Sequence, residues 1–171
     1  ASVYIAHIHG AYLAWPRWSR SGMRKGRISA EFVKKIYSDE VKELSIEELQ
    51  QKILDAVDYN ENDWIRENPR TYKGKKLASG LQNIAYACPK CGSEYTMQFM
   101  NSGKGDMIQC SNCGNAARYL PTGLIEKAEP QCVVFDDLHK WTEWERGLIK
   151  DQLEAGGFKM EMNADLFKVT T

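Results

Sequence analysis

The chain has 171 residues, of which 43% are hydrophobic and 27% charged, and its 23 Lys and Arg balance 23 Asp and Glu. This composition excludes a disordered chain, and the zero net charge argues against a protein that coats nucleic acid with its whole surface. No stretch of the sequence approaches the roughly 20 apolar residues that cross a bilayer, and the apolar start lacks the cationic region of a signal peptide.

The charges are unevenly distributed along the chain. No acidic residue precedes Glu31, whereas residues 39–63 carry nine acids. The loop ahead of Glu31 is strongly basic, with Arg17, Arg20, Arg24, Lys25 and Arg27 close together. Separated charge of this kind predicts that one face of the protein meets an anion.

The first segment of the chain predicts β-structure. Residues 3–15 are rich in β-branched and aromatic side chains and nearly uncharged, which is typical of a buried strand that Pro16 would end. The stretch GRISAEFVKKI, residues 26–36, predicts a second strand. Because a strand buried on both faces needs partners, we expect residues 1–70 to be the tail of a larger α/β sheet. The start at Ala1 leads us to expect further sequence upstream.

Two helices are predicted before the middle of the chain. Ser45 and Glu48 form a capping box, and apolar residues then recur at helical spacing as far as Val57. The stretch NENDWIRENP predicts a short second helix. It should stop by Asn68, because Pro69 restricts the backbone of the residue before it.

The strongest motif is a C-x2-C-x18-C-x2-C pattern, formed by Cys88, Cys91, Cys110 and Cys113. Paired C-x2-C turns at this separation are the zinc-ribbon spacing, and four thiolates suit tetrahedral Zn²⁺. Gly92 and Gly114 follow the second cysteine of each pair and free the backbone for a tight turn, while the residues between the pairs predict a hairpin. We therefore predict a zinc ribbon over residues 71–128, with a structural metal because four cysteine ligands leave no open position.

Other uses of the cysteines stay open. Four thiolates can also hold iron in a rubredoxin-like site, and a disulfide pair is an alternative in a secreted protein. Nothing in the sequence indicates secretion, so a metal is favoured. The fifth cysteine, Cys132, lies in QCVVF, which predicts a buried core thiol rather than a nucleophile.

Residues 129–171 predict a C-terminal segment of strand, helix and hairpin. The run CVVF, residues 132–135, predicts a strand, and Asp136 or Asp137 can cap the helix that follows. The glycine pair at 156–157 would end this helix.

The predicted C-terminal helix has one apolar face that carries Trp141 and Trp144. We expect this face to pack on the ribbon or the sheet, and a membrane-facing position is the alternative. Residues 158–169 predict a terminal hairpin. Together the segments predict an α/β (α+β) fold, in which the tail of a mixed sheet is followed by a four-cysteine ribbon and a C-terminal helix with its hairpin.

A search for catalytic motifs finds no complete active site. His7 and His9 lie two residues apart on the first predicted strand and so point the same way. No third metal ligand is evident nearby, which favours ordinary strand histidines. The sequence has no G-x-S-x-G elbow, phosphate-binding glycine loop, HExxH helix or nucleotide fingerprint.

The stretch VYIAHIHGAYLAWPRWSRSGMRKGRISAEF resembles the late part of the lysophospholipid (1-acylglycerol-3-phosphate) acyltransferase family. In that family a buried strand leads through a glycine-containing loop to a basic, RRGKI-like run that starts another strand. The matching residues are Gly10, Tyr12, Pro16, Trp18, Lys25, Gly26, Arg27 and Ile28. The segments YKGKKLASGLQNIAYACPKCG and WTEWE resemble bacterial members with an inserted zinc ribbon, so the resemblance covers most of the chain.

This resemblance implies acyl transfer from acyl-CoA or acyl-carrier protein to a lysophospholipid hydroxyl. It implies a cytoplasmic protein, peripheral on the inner face of the membrane. The family's His-x4-Asp acid/base motif and its Glu-Gly-Thr-Arg phosphate motif are absent from this sequence. We therefore assign no catalytic residue and expect the chain to be inactive alone. The strand after KGRI also departs from the family's Gly-x-Pro ending.

The resemblance gives the basic loop a role at the mouth of the acyltransferase site. Its cations would meet anionic lipid or the substrate phosphate, and its two tryptophans would lie at the headgroup boundary. The predicted lipid-binding set is Arg17, Arg20, Arg24, Lys25, Arg27, Trp15 and Trp18. The alternative is a solvated basic turn with both tryptophans packed inside.

Two other classes of function are kept open. A zinc ribbon can bind nucleic acid, but residues 88–115 hold only Lys90 and Lys104 against Glu94 and Asp106, which gives no obvious phosphate-binding surface. The ribbon could instead stabilise the docking surface of a protein-interaction module.

Overall fold

The computed structural model describes residues 1–102 and 105–159, so all but the first two residues of the predicted terminal hairpin, residues 158–169, lie outside it. The described chain has a mixed α/β structure with two antiparallel sheets. Its elements are β1 (Val3–His9), α1 (Ala11–Ala14), β2 (Ser29–Ile36), α2 (Ser38–Glu43), α3 (Ile46–Val57), α4 (Glu61–Glu67), a 3-10 turn (Leu81–Asn83), β3 (Met97–Ser102), β4 (Gly105–Cys110), β5 (Ala116–Tyr119), β6 (Ile125–Lys127) and α5 (Leu138–Glu154).

The strands β1 and β2 form a two-stranded antiparallel sheet. The prediction that the first strand is buried on both faces is wrong. Ile5 and His9 are buried, whereas Tyr4 and Ile8 on the opposite face are more than half exposed. This alternation arises because successive side chains of a strand point to opposite faces, and helix α3 packs on one of them.

The first strand also ends earlier than predicted, at His9 rather than near Pro16. Gly10 has a φ of 84°, in the left-handed region, and the Ala14 N–H donates to the Gly10 carbonyl at 2.9 Å. The chain therefore leaves the sheet and makes the short helix α1. A side chain at Gly10 would also collide with the Tyr72 hydroxyl, which makes glycine necessary at this bend.

The two predicted helices of the acidic region are confirmed. The capping box that starts α3 is formed, with the Glu48 N–H donating to Ser45 Oγ at 3.2 Å and the Ser45 N–H to Glu48 Oε2 at 2.9 Å. Helix α4 ends with Asn68 as its C-cap. Arg66 on α4 pairs with Asp137, the N-cap of α5, and so ties the first half of the chain to the last helix.

The ribbon region forms a four-stranded antiparallel sheet in the order β3-β4-β5-β6. The predicted hairpin between the cysteine pairs is β3–β4, with Phe99 opposite Ile108. Helix α5 packs on this sheet, as expected from its apolar face. Trp141 is fully buried and donates its indole N–H to the Ala87 carbonyl at 3.1 Å.

The strand predicted at residues 132–135 is not formed. Instead the side chain of Asn115 takes the place of a strand partner: its Nδ2 donates to the Val133 carbonyl and its Oδ1 accepts from the Val133 N–H, both at 2.8 Å. The helix cap after this segment is the second of the two predicted aspartates, Asp137, whose carboxylate accepts the Lys140 N–H at 2.8 Å.

Membrane-spanning helices are not found in the part of the chain that the structure describes. Every helix there is too short or too polar to cross a bilayer.

Candidate metal centre and basic loop

Four cysteine side chains converge where the two C-x2-C turns meet. Their sulfur atoms all lie within 4.8 Å of one another, with 3.6 Å between Cys88 and Cys113 and 3.8 Å between Cys91 and Cys110. Four thiolates bound to one zinc ion at about 2.3 Å stand about 3.8 Å apart in a tetrahedron. The cluster therefore fits a single metal ion, and it is the only group of three or more such ligands within residues 1–102 and 105–159.

Backbone hydrogen bonds shape the two turns that present these sulfurs. The Gly92 N–H donates to the Cys88 carbonyl at 2.8 Å, and the Gly114 N–H to the Cys110 carbonyl at 2.9 Å. Both glycines have positive φ, 71° and 73°, a conformation that other residues rarely adopt. The glycines identified in the sequence thus let each turn fold back around the metal position.

Hydrogen bonds lower the pKa of two of the four thiols, Cys91 and Cys110, whereas burial raises the pKa of Cys88. Thr96 Oγ1 lies 3.2 Å from Cys110 Sγ, and Asn112 Nδ2 lies 3.7 Å from Cys91 Sγ. Hydrogen bonds from the Ser93 side chain and backbone lower the pKa of the Cys91 thiol to about 6. Such outer contacts orient metal ligands, and a lowered pKa makes a thiolate available near neutral pH.

The cysteine cluster is buried on one side and accessible on the other. Cys88 and Cys110 lie in the hydrophobic core of the ribbon, whereas Cys91 and Cys113 are exposed. A closed set of four cysteines anchored in a core is typical of a structural metal. Cys132 stands apart from the cluster and is buried, as predicted, with its sulfur accepting the Ala116 N–H at 3.4 Å.

The basic loop is anchored to the ribbon by Arg24, which is only 4% exposed. Its guanidinium donates to the carbonyls of Leu13 at 3.3 Å and Leu77 at 2.7 Å, and to the Tyr119 hydroxyl at 3.1 Å. It also lies 5.2 Å from the ring centroids of both Trp18 and Tyr119. Contrary to the sequence prediction, Arg24 is a structural residue and has no access to a lipid surface.

The two tryptophans of the loop have different environments. Trp18 is 8% exposed and packs edge-on against Tyr119, with 5.4 Å between ring centroids, in the same core cluster as Cys88 and Cys110. Its predicted place at a headgroup boundary does not hold, because ribbon residues cover it. Trp15, in contrast, is 66% exposed.

The remaining cations of the loop point to solvent. Arg17, Arg20, Lys25 and Arg27 are all exposed, and none of them pairs with a carboxylate among the described residues. Together with Trp15 they are the part of the predicted lipid-binding set that can still meet an anionic partner. That role stays a prediction.

The two strand histidines are held by hydrogen bonds and ring contacts. His9 is 4% exposed and stacks on Trp64, with 4.4 Å between ring centroids, while its Nδ1 lies 2.9 Å from the Tyr59 hydroxyl. His7 Nε2 lies 2.8 Å from the Ala56 carbonyl. These contacts are typical of strand histidines that pack under helices, in agreement with the sequence prediction.

A cluster of acidic side chains beside these histidines was not predicted from the sequence. His7 and His9 line a cleft of about 410 Å³ whose other walls carry four acidic side chains beside Tyr59, Asn60 and Trp64. The acids come from β2, from α4 and from the turn before α4, so only the tertiary fold brings them together. They are Glu31, Asp58, Asp63 and Glu67.

One buried carboxyl predicts a pH dependence of stability. Glu145 is 3% exposed, and burial raises its pKa from 4.5 to about 7 although its Oε1 accepts the Ala87 N–H at 2.8 Å. The folded state therefore holds this proton more tightly than the unfolded state, so stability falls as pH rises toward 7 and then levels off. Glu145→Gln keeps an acceptor for Ala87 and should remove this decline.

The pH dependence of the free energy of unfolding can be compared between the unsubstituted protein and Glu145→Gln by denaturant unfolding at about pH 5.5 and about pH 8. Between these values the free energy of unfolding of the unsubstituted protein should fall by about 2 kcal/mol more than that of Glu145→Gln. An identical pH dependence in both proteins would show that Glu145 does not carry the effect.

Comparison with known proteins identifies no relative of this chain. No protein-family model matches it, and neither a curated protein nor a solved structure does.

Proposed function

We propose that this chain is the C-terminal part of a lysophospholipid acyltransferase, which moves an acyl chain from acyl-CoA or acyl-carrier protein to a lysophospholipid hydroxyl. The sequence resemblance supports this proposed function, and its main structural support is the arrangement of the basic loop. The KGRI run leads directly into β2, and the loop ahead of it is fixed by Arg24 while its outer cations and Trp15 stay exposed. An exposed surface with both cations and an aromatic ring suits anionic headgroups.

We propose further that the metal is a structural Zn²⁺ held by Cys88, Cys91, Cys110 and Cys113. Bound zinc would cross-link the two turns of the ribbon and leave no position for a substrate. The residues of this chain would then bind and orient the substrate rather than react with it. Arg17, Arg20, Lys25 and Arg27 would offset the negative charge of the lysophospholipid phosphate.

The proposed activity is tested with the protein that the complete open reading frame encodes. We expect it to contain a His-x4-Asp motif ahead of this chain and to transfer acyl groups from acyl-CoA or acyl-carrier protein to 1-acylglycerol-3-phosphate. A complete protein that lacks this motif and releases no free thiol from acyl-CoA would overturn the proposal.

The chain by itself is expected to show no acyl transfer. The lysophospholipid hydroxyl needs a general base, and the sequence has no His-x4-Asp dyad. His9 is also engaged, since its Nδ1 contacts the Tyr59 hydroxyl and its Nε2 lies 3.4 Å from Glu31. The purified chain is incubated with acyl-CoA and lysophosphatidate, and thiol release is followed. Turnover above the uncatalysed rate would mean that an active site lies within these residues.

A further inference from the structure

A second basic segment lies beside the loop, although it is distant in sequence. Lys73, Lys75 and Lys76 belong to the stretch YKGKKL and are all exposed. The Lys25 N–H donates to the Lys73 carbonyl at 2.8 Å, and the Lys73 N–H to the Lys25 carbonyl at 2.7 Å. A further bond, from the Arg20 N–H to the Ser79 carbonyl at 2.9 Å, keeps the two segments side by side.

The bridge between the segments places two like charges opposite each other. Lys25 and Lys73 are directly paired residues of an antiparallel bridge, so their side chains leave the backbone on the same side. Like charges in this arrangement repel, and neither lysine pairs with a carboxylate among the described residues. An anion bound above the pair would remove this repulsion.

Buried contacts hold both segments in place. Tyr72 is 1% exposed, its hydroxyl donates to the Arg27 carbonyl at 3.2 Å, and its ring occupies the space where a side chain at Gly26 would lie. On the other side, the Leu77 side chain lies in the ribbon core and its N–H donates to Asp106. The cations therefore project from a backbone that is already fixed, which reduces the ordering cost of binding.

Exposed apolar side chains indicate the kind of anion. In the same loop, Trp15 is 66% exposed, Met23 72% and Ile28 51%. A free phosphate gains little from exposed apolar side chains among cations, and a nucleotide base could stack on Trp15 but would leave Met23 and Ile28 exposed. A bilayer interface accommodates the cations and all three apolar side chains.

We propose that loop residues 15–28 and segment residues 73–76 form one docking surface for an anionic bilayer. This inference rests on the proposed lipid-side role of the loop and extends it, because it adds the second segment and names the bilayer surface as the partner. The two segments together offer seven exposed cations, which are Arg17, Arg20, Lys25, Arg27, Lys73, Lys75 and Lys76.

The test measures partitioning onto vesicles made of equal parts phosphatidylglycerol and phosphatidylcholine, and onto vesicles of phosphatidylcholine alone. Each cation near an anionic surface contributes about fivefold to partitioning, so replacing Lys73, Lys75 and Lys76 with Gln should lower binding roughly a hundredfold. High salt should weaken binding of the unsubstituted protein, because screening acts over about 8 to 10 Å. The matched control replaces Lys127, Lys150 and Lys159, which lie outside both segments, and should bind almost normally.

The outcomes separate this inference from the proposed role of the loop. If a variant with Arg17, Arg20 and Arg27 replaced by Gln loses binding but the Lys73, Lys75 and Lys76 variant does not, the loop binds lipid and the second segment does not. Equal binding of the unsubstituted protein to both kinds of vesicle at low salt would overturn both. Tighter binding to duplex DNA than to the anionic vesicles would replace the bilayer with nucleic acid as the partner.

Discussion

A Cys91→Ser variant is expected to lose its tightly bound metal and its folded ribbon, whereas a Cys132→Ser variant should keep both. Structural zinc sites of this kind contribute about 10–16 kcal/mol, which is comparable to the whole stability of a small domain. The loss of one ligand from a closed set of four should therefore unfold the ribbon. Removing the metal with a chelator should have the same effect, and the exposed Cys91 and Cys113 give the chelator access.

Two measurements check this result. Elemental analysis of protein purified without chelator should give one zinc per chain, and it also distinguishes zinc from iron. Tryptophan fluorescence should shift to longer wavelength when the metal leaves, because Trp18 and Trp141 lie in the same core cluster as two of the ligands. Equal zinc content in the Cys91→Ser and Cys132→Ser variants would refute the site.

The four-cysteine cluster could be predicted from the sequence because its determinants are local. Each C-x2-C turn is completed within five residues by its own glycine, and spacing alone brings the two turns together through a hairpin. The capping box of Ser45 and Glu48 was predictable for the same reason. In both cases the interacting groups lie within one turn or one hairpin, so no distant part of the chain has to be known.

Arg24 could not be assigned from the sequence because its partners are distant. Leu77 and Tyr119, which accept its hydrogen bonds, lie 53 and 95 residues away. A run of arginines and lysines shows that the loop is basic, but not which cation turns inward. The answer depends on where Tyr119 and Trp18 place their rings, and that position is fixed only when the ribbon packs.

The end of β1 and the segment before α5 were mispredicted for a different reason. Residues 10–15 and 132–135 both have the composition of a strand, but a strand also needs a partner with free hydrogen-bonding groups. Gly10 takes a left-handed conformation that turns the chain out of the sheet. At Val133, the side chain of Asn115 satisfies the backbone groups that a neighbouring strand would have bound.

The link between the ribbon and the loop has a functional consequence. Arg24 donates to the carbonyl of Leu77, a residue of the ribbon core, and to the hydroxyl of Tyr119 on β5. Loss of the metal should therefore loosen both basic segments as well as the ribbon itself. Under the two proposals above, a bound zinc ion would support lipid binding without contacting a lipid.

Replacing Trp18 and Trp15 in turn is expected to separate folding stability from membrane binding. Trp18→Ala removes a ring from the ribbon core and should lower the free energy of unfolding by roughly 3 to 5 kcal/mol. Trp15→Ala removes an exposed ring and should change stability by less than about 0.5 kcal/mol. The same Trp15→Ala variant should bind anionic vesicles more weakly, because an aromatic side chain at the headgroup level anchors a protein at the bilayer interface.

The two variants share one chemical change, so each is the control for the other. Stability is measured by denaturant unfolding with zinc present, and binding is measured on the vesicles described above. If Trp18→Ala does not fold, Trp18→Phe keeps a ring against Tyr119 and should show a smaller loss of stability with nearly normal binding. A Trp15→Ala variant that binds vesicles as well as the unsubstituted protein would remove Trp15 from the docking surface and leave its cations as the only contacts.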